Sequence, residues 1–343
     1  MLIEKRFGNI GILVGETTRG FIGSSLVEKL LKQKKTVFAL VNYNSFGNVG
    51  WLRKLSLKNK RLKVIFGDLK DPDTYIDYLS KSDYVINLAS LISVPYSYSG
   101  PKSYLENNIL GCHFLYNSCK NLRIKKIIHI SSSEVYGTPN KLPITENTIF
   151  NPQSPYAASK AGADHVAKSY FYSFNLPIII LRPFNNFGPK QSLRAVIPTI
   201  ISQALKGNQI RLGKVSTKRD FLYVTDTIEA VLKTIGSNKS LFGEEINLGT
   251  NHSFKVSEIV KLVSSIMKKK LVLTLNKQKL RPKASEVEIL KCDFKKAKQK
   301  LNWKPKFIGK KGFKAALIMT IAWYKVNINN ELLNSKNLNR SYK

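Results

Sequence analysis

Six short, almost uninterrupted apolar runs, separated by stretches of helical spacing, constrain this chain more than any other feature. They are IGILV (10–14), TVFALV (36–41), LKVIFGD (62–68), DYVINLA (83–89), KIIHISS (126–132) and LPIIILRP (176–183). A strand with one wet face alternates apolar and polar residues, whereas a run that is apolar throughout must be covered on both faces. Between the runs lie SSLVEKLLKQ, DTYIDYLSK, LENNILGCHFLYNSCKN and SPYAASKAGADHVAKSYFYSF, whose apolar residues recur every three or four positions. Strands alternating with helices build a parallel sheet with helices on both faces, so the expected class is α/β with a doubly wound parallel sheet.

The regular alternation fails after RPFNNFGP, where Pro, Gly and Asn cluster ahead of a helix-like AVIPTIISQALKGN. DFLYVTDTIEAVLKTIG and EEINLG then look like a return to the sheet. At 343 residues the chain suits a large domain with a smaller one appended. The expected division is a Rossmann-type domain over 1–187 with a returning segment 221–250, and a smaller α/β domain assembled from 188–220 and 251–325. The polar residues 326–343 read as a frayed tail.

Composition narrows the function classes. No apolar run approaches the ~20 residues of a membrane helix, and the start MLIEKRFGNIGILVG lacks a signal core, so a soluble, cytoplasmic protein without a membrane partner is expected. Cys112, Cys119 and Cys292 form no metal-ligand spacing and are odd in number, which argues for incidental thiols, no disulfide framework and no metal. The net charge is +34, yet the lysines are scattered and lack interleaved aromatics. No specific nucleic-acid partner is expected; the basic coat favours a small anionic ligand such as a nucleotide diphosphate.

Three motifs carry chemistry. VGETTRGFIGSSLVEKLL sets Gly20 and Gly23 three apart between a strand and a helix, where a dinucleotide pyrophosphate sits. Thr17 stands where a further glycine would, with Gly15 two residues out of step, so a working loop with a rebuilt turn is expected. SPYAASK places Tyr156 and Lys160 on one helix face, behind Ser154 as N-cap and Pro155 at the first helical position. A fixed cation lowers a phenol's pKa towards working pH and makes it a general base for an alcohol. Alone, the pair could equally be a surface aromatic beside a solvated lysine. HISSSEVYG places Ser131, Ser132, Ser133 and Glu134 just past a strand's carboxyl end, where open parallel sheets bind ligands. Ser132 could hydrogen-bond the oxygen that Tyr156 deprotonates, and Glu134 offers a second base. For Ser131 a strand-end turn is the simpler reading.

Taken in order, the glycine loop, serine run and YxxxK resemble the extended short-chain dehydrogenase/reductase family, whose members modify nucleotide-activated sugars with NAD(P). ALVNYNSFGNVGWL, LISVPYSY, RPFNNFGPKQSLRAVIPTII, LGKVSTKRDFLYVTDT and LRPKASEVEIL resemble the bacterial nucleotide-sugar 4,6-dehydratases acting on N-acetylglucosamine nucleotides in the legionaminic-acid pathway. The resemblance implies NAD as cofactor, with NADP left open, and a nucleotide-sugar substrate. It implies that Gly20, Phe21, Ile22 and Gly23 face the pyrophosphate, that Asp68 and Leu69 flank the adenine, and that Asn42, Leu88 and Ala89 line the cofactor. Tyr156 and Lys160 would border the nicotinamide ribose. Asn185 and Arg281 would meet the sugar nucleotide, with Arg194 and Arg219 as candidates for its phosphates. The long segments 101–121 and 154–174 resemble the helices these enzymes pair into a homodimer.

Glu134 discriminates among activities. The resembling 4-epimerases lack a carboxylate there, whereas a dehydratase needs a base for the C5 proton. A Ser–Glu pair at Ser133 and Glu134 resembles the GDP-mannose 4,6-dehydratases and also the UDP-glucuronate decarboxylases. The expected activity is a 4,6-dehydratase acting on UDP- or GDP-N-acetylglucosamine. The alternatives are a 4-epimerase, a decarboxylase, or a non-catalytic nucleotide-binding descendant. Asn42 stands where the carboxylate for the NAD ribose usually lies.

Overall fold

The computed structural model describes residues 10–12, 20–277 and 280–329. Gly15 and Thr17, on which the rebuilt turn rests, lie outside these residues, as does most of the expected polar tail.

All six apolar runs form strands: β1 (Ile10–Ile12), β2 (Val37–Val41), β3 (Leu62–Phe66), β4 (Tyr84–Asn87), β5 (Lys126–Ile130) and β6 (Ile178–Pro183). Six more follow: β7 (Asn185–Phe187), β8 (Gln209–Leu212), β9 (Lys218–Tyr223), β10 (Glu245–Leu248), β11 (Ser253–Lys255) and β12 (Val272–Leu275). A seven-stranded sheet runs β10-β6-β5-β4-β1-β2-β3, with every pair parallel. Strand order reverses between β1 and β4, the switch point at which such sheets open a ligand crevice.

Alternate strand residues feed two cores. One face of β5 and β6 sends Ile128, Ile130, Ile179 and Leu181 against Leu26 and Leu30 of the helix Phe21–Lys32 and Val231 and Ile235 of the helix Val224–Gly236. Ile127, Ile178 and Ile180 point the other way, into Leu115 and Tyr116 of the helix Gly111–Cys119 and Ala163 and Ala167 of the helix Pro155–Phe174. By that alternation Asn87, His129 and Arg182 fall on this second face.

Two segments depart from the sequence expectation. β9, read as rejoining the large sheet, pairs instead with β7 and β11 in a three-stranded sheet, because Phe221 and Tyr223 complete a third core around Phe187, Ile201, Val263 and Phe313. Only the helix after it and β10 return. Conversely, the helix Lys295–Leu301, read with the smaller half, packs Ala297, Leu301 and Trp303 into the core of the large sheet. Trp303 is 1% exposed, and its indole donates to the Asp226 carbonyl at 3.0 Å. The last helix, Gly309–Asn327, extends two residues past the expected boundary of the tail.

Burial of a whole indole makes Trp303 the clasp that returns the carboxyl-terminal segment to the large sheet. Trp303→Ala is expected to destabilise the protein by about 3–5 kcal/mol, read as a lower urea midpoint with an unchanged slope; a loss below about 1 kcal/mol would show that this segment docks by other means.

Candidate active site

Two turns aim the central side chains. The chain leaves β5 with Ser132 extended, its hydroxyl accepting from the Glu134 amide at 3.2 Å and capping the short turn Ser133–Tyr136. Gly137 ends that turn at φ 54°, and a Cβ there would lie 1.8 Å from the Asn151 carbonyl oxygen, so only glycine lets the two strands of chain cross. Ser154 caps the next helix by accepting from the Ala157 amide at 3.1 Å, with Pro155 opening it. One turn inside, Tyr156 and Lys160 face the sheet, 8% and 2% exposed.

The structure corrects the expected electrostatics of that pair. Burial pushes the Tyr156 phenol up to about 12, against a hydrogen bond with Ser132 that draws it down. Lys160 does not counter this: its ammonium donates to the Ile130 carbonyl at 2.8 Å, and burial lowers its own pKa while the charge of Asp164 supports it. Glu134 is 9% exposed, and its charge reaches both the Tyr156 phenol and the Arg219 guanidinium.

Beneath the pair lies a charged cluster. Asp164, one turn beyond Lys160, sets Oδ2 2.8 Å from Arg182 Nε and Oδ1 3.2 Å from His129 Nε2. His129 Nδ1 meets the Tyr116 hydroxyl at 2.7 Å, and Arg182 donates to the Tyr136 hydroxyl at 2.9 Å. The helix expected over 101–121 is interrupted by a π turn, Leu105–Leu110. There Asn108 accepts from the Leu91 amide at 2.8 Å and donates to Ser159 at 2.8 Å, tying this helix to the strand-end loop and to the Tyr156 helix. None of these residues stood out in the sequence, although Asp164 follows Lys160 at i+4, a spacing that puts both on one face.

At the other side of the switch point, Gly20 caps the helix Phe21–Lys32, which has no acidic residue in its first turn and so presents free amides and a positive dipole end. Phe21, Ile22 and Gly23 form that first turn. Asn42 and Asp68 come together across the ends of β2 and β3, lining a cavity of about 340 Å³ with Tyr43, Phe66, Asp71 and Thr74. Leu69, Leu88 and Ala89 are 4–5% exposed at the adjoining strand ends. An anion-receptive helix end, an apolar floor and a polar-rimmed slot fit a dinucleotide.

The smaller half supplies cations. Arg219 on β9 is buried, with Nη2 3.2 Å from Glu286 Oε1, and Arg281 reaches the same oxygen with Nη1 at 3.9 Å. Asn185 Oδ1 and Arg281 Nη1 are buried without a hydrogen-bond partner among the described residues, which is unusual for native polar atoms. Arg194 is not gathered in: it is exposed, and its amide bonds only to Ser192 in its own turn. The described residues hold no metal-binding group of three or more His, Cys, Asp or Glu, no helix is long and apolar enough to cross a membrane, and all three cysteines are free and buried.

A doubly wound sheet with Ser132 past the end of β5 and Tyr156 and Lys160 on the helix that follows is the architecture of an extended short-chain dehydrogenase/reductase. Residues 17–315 match the family model described as GDP-mannose 4,6 dehydratase, and the chain belongs to this family of NAD-dependent epimerases and dehydratases. A dTDP-D-glucose 4,6-dehydratase of Dictyostelium discoideum is 35% identical over 269 residues, covering 72% of this chain and 60% of the relative. The crystal structure of DesIV, a dTDP-glucose 4,6-dehydratase from Streptomyces venezuelae with NAD bound, superposes with a TM-score of 0.82 at 25% identity, covering 93% of this chain and 98% of that one. A UDP-N-acetylglucosamine 4-epimerase from Methanobrevibacter ruminantium also gives 0.82, at 31% identity over 94% and 100% of the two chains.

The Asp164 cluster makes a prediction about acid stability. Burial alone would raise the carboxyl, but contact with His129 and the charges of Arg182 and His129 hold it down at about 2. A depressed carboxylate stabilises the fold fully above its unfolded value near 4 and progressively less as pH falls towards 2. Asp164→Ala, which strands the buried Arg182 guanidinium and takes the partner from His129, is expected to cost about 3–5 kcal/mol at neutral pH and to flatten the stability profile between pH 4 and 2; equal acid slopes in variant and parent would remove Asp164 from that role.

Proposed function

We propose that the protein is a nucleotide-sugar 4,6-dehydratase that uses NAD and acts on UDP- or GDP-N-acetylglucosamine. The observation that carries this reading is Glu134, a second buried base whose charge reaches the Tyr156 phenol. Oxidation at C4 alone needs one proton acceptor. Removing water across C5 and C6 needs another for the carbon acid at C5.

Bound NAD would supply the hydride chemistry, accepting a hydride from C4 and giving one back to C6, so that the cofactor ends oxidised. Because burial holds the Tyr156 phenol high, the cationic nicotinamide of bound NAD would supply the charge that lets Tyr156, as the phenolate, take the proton of the 4-hydroxyl, with Ser132 hydrogen-bonded to the same oxygen. Glu134 takes the C5 proton once C4 is a ketone and the carbon is acidic. No acid stands at Ser133, which is 2% exposed, so Glu134 also returns its proton to the departing 6-hydroxyl, releasing water and leaving a C5–C6 double bond; a hydride to C6 and the proton first taken by Tyr156, passed back to C5, then complete the 4-keto-6-deoxy sugar. Arg219 and Arg281 hold the diphosphate and Asn185 the sugar-nucleotide chain; the dinucleotide lies along Gly20–Gly23, Asn42, Asp68 and Leu69. Asn42 accepts and donates where a carboxylate would reject a 2′-phosphate, which leaves NADP admissible at that edge.

Candidate sugar nucleotides, including dTDP-glucose as carried by the named relatives, are incubated with the protein and the products weighed. Loss of one water from an N-acetylglucosamine nucleotide is the expected result; an isomer of unchanged mass points to epimerisation, and loss of carbon dioxide from UDP-glucuronate to decarboxylation. Glu134→Gln keeps the side chain's size and should lower dehydration by about 10²–10⁴-fold, with exchange of the C5 hydrogen against heavy water slowing in parallel. Unchanged turnover in that variant would move the base elsewhere.

We further propose a homodimer through the helices over 101–119 and 155–174. Leu105, Leu110, Tyr172 and Phe174 stand 46–69% exposed on these helices, which suits an interface between copies. Sedimentation at micromolar concentration should give twice the chain mass, and the Leu105→Glu/Leu110→Glu variant a monomer.

A further inference from the structure

The arginines of the smaller half already hold an anion, and it is part of the chain. Glu286 Oε1 lies 3.2 Å from Arg219 Nη2 and 3.9 Å from Arg281 Nη1, with the Glu286 side chain only 10% exposed. One carboxylate oxygen is thus shared by two guanidiniums. Arg219 is fixed, since Nη1 also donates to the Lys218 carbonyl at 3.0 Å. Arg281 makes the longer contact, is 25% exposed, and has Nη1 buried without a hydrogen bond among the described residues.

Glu286 cannot drift from this position. Ser285 beside it meets the Tyr98 hydroxyl at 2.6 Å, and the Gln153 side chain donates to the Ala284 carbonyl at 2.9 Å. Downstream, the Leu290 amide donates to the Lys218 carbonyl at 3.0 Å. The loop is therefore pinned on both sides of the carboxylate, and to the segment that leads into the Tyr156 helix.

We infer that Glu286 is a resident competitor for the diphosphate site: it keeps Arg219 as its own partner, surrenders Arg281 to the incoming diphosphate, and so weakens binding of both substrate and product. This rests on the assignment of the two arginines to a sugar nucleotide. Two cations and one buried carboxylate leave a single positive charge, which a diphosphate must share with a like charge a few ångströms away. Such juxtaposition costs free energy that appears as lost affinity. For an enzyme that must shed a product bearing the same diphosphate as its substrate, weaker ground-state binding favours turnover.

Binding of UDP, GDP and inorganic pyrophosphate to the full chain is measured by calorimetry, with uridine and guanosine as uncharged probes. Glu286→Gln keeps the size and removes the charge, and should tighten all three anions by about tenfold while leaving the nucleosides unchanged. The gain should vanish in Arg281→Met/Glu286→Gln. Equal or weaker anion binding in Glu286→Gln, or a gain that persists without Arg281, overturns the inference and makes Glu286 a prop for the arginines. Should circular dichroism show that Glu286→Gln does not fold, Glu286→Asp, which withdraws the charge by one methylene, takes its place with the same two outcomes. The two readings fail separately: a chain that shows the gain but dehydrates no sugar nucleotide keeps the competitor and loses the dehydratase, and one that dehydrates without the gain does the reverse.

Discussion

The Asp164 carboxylate, held between Arg182 and His129 under the large sheet, is the contact on which the arrangement above it depends. It belongs to the helix that carries Tyr156 and Lys160, its partners belong to β6 and β5, and among the described residues no other buried side-chain charge pair joins these three elements. An ion pair of this kind adds little net stability compared with apolar packing, but it fixes register, because a one-residue slip of either strand would leave a charge buried alone. Lys160 then reaches the Ile130 carbonyl, Ser132 and Glu134 leave the end of β5 in a pinned turn, and Tyr156 is placed beside both.

Much of this was legible in the sequence, and for identifiable reasons. Strands covered on both faces announce themselves as apolar runs, and β2, β4, β5 and β6 are legible because burial on two sides leaves little room for polar alternation; the edge strand β3 is apolar enough to read the same way although Lys63 and Phe66 are exposed. The cap Ser154 and Pro155 were equally plain, since local hydrogen bonding and a fixed φ act within one turn. What escaped was set by distant partners. β9 looks like a strand of the large sheet, and only Phe187 and Phe313 decide that it joins the small one. Nor does a sequence reveal whether a lysine four residues from a tyrosine points at it or at a backbone carbonyl. Here it takes the carbonyl, and burial governs the phenol.

Electrostatics is also uneven across the molecule. The surplus of 34 positive charges is mostly on the surface, where water and salt screen it. In the cleft the signs are nearly balanced: Glu134, Arg219, Arg281 and Glu286 alternate within a few residues' reach of one another. The local order of those four charges, rather than the overall basicity, governs what an anionic ligand meets after it arrives.

The two halves are joined with almost no slack. Only Phe184, 1% exposed, separates β6 in the large sheet from β7 in the small one, and the helix Val224–Gly236 begins directly after β9. A hinge needs a few residues free to absorb backbone rotation; neither of these two crossings offers them, whereas the crossings from β10 to β11 and from Trp303 to the last helix each leave several residues between elements. At Phe184 and at the Tyr223–Val224 junction the spacing of the two halves is therefore fixed, and any change of angle between them has to be taken up at the later crossings. A substitution at Phe184 would therefore be felt in both sheets at once, whereas one in the later crossings could change how the halves meet and leave the spine at Phe184 untouched.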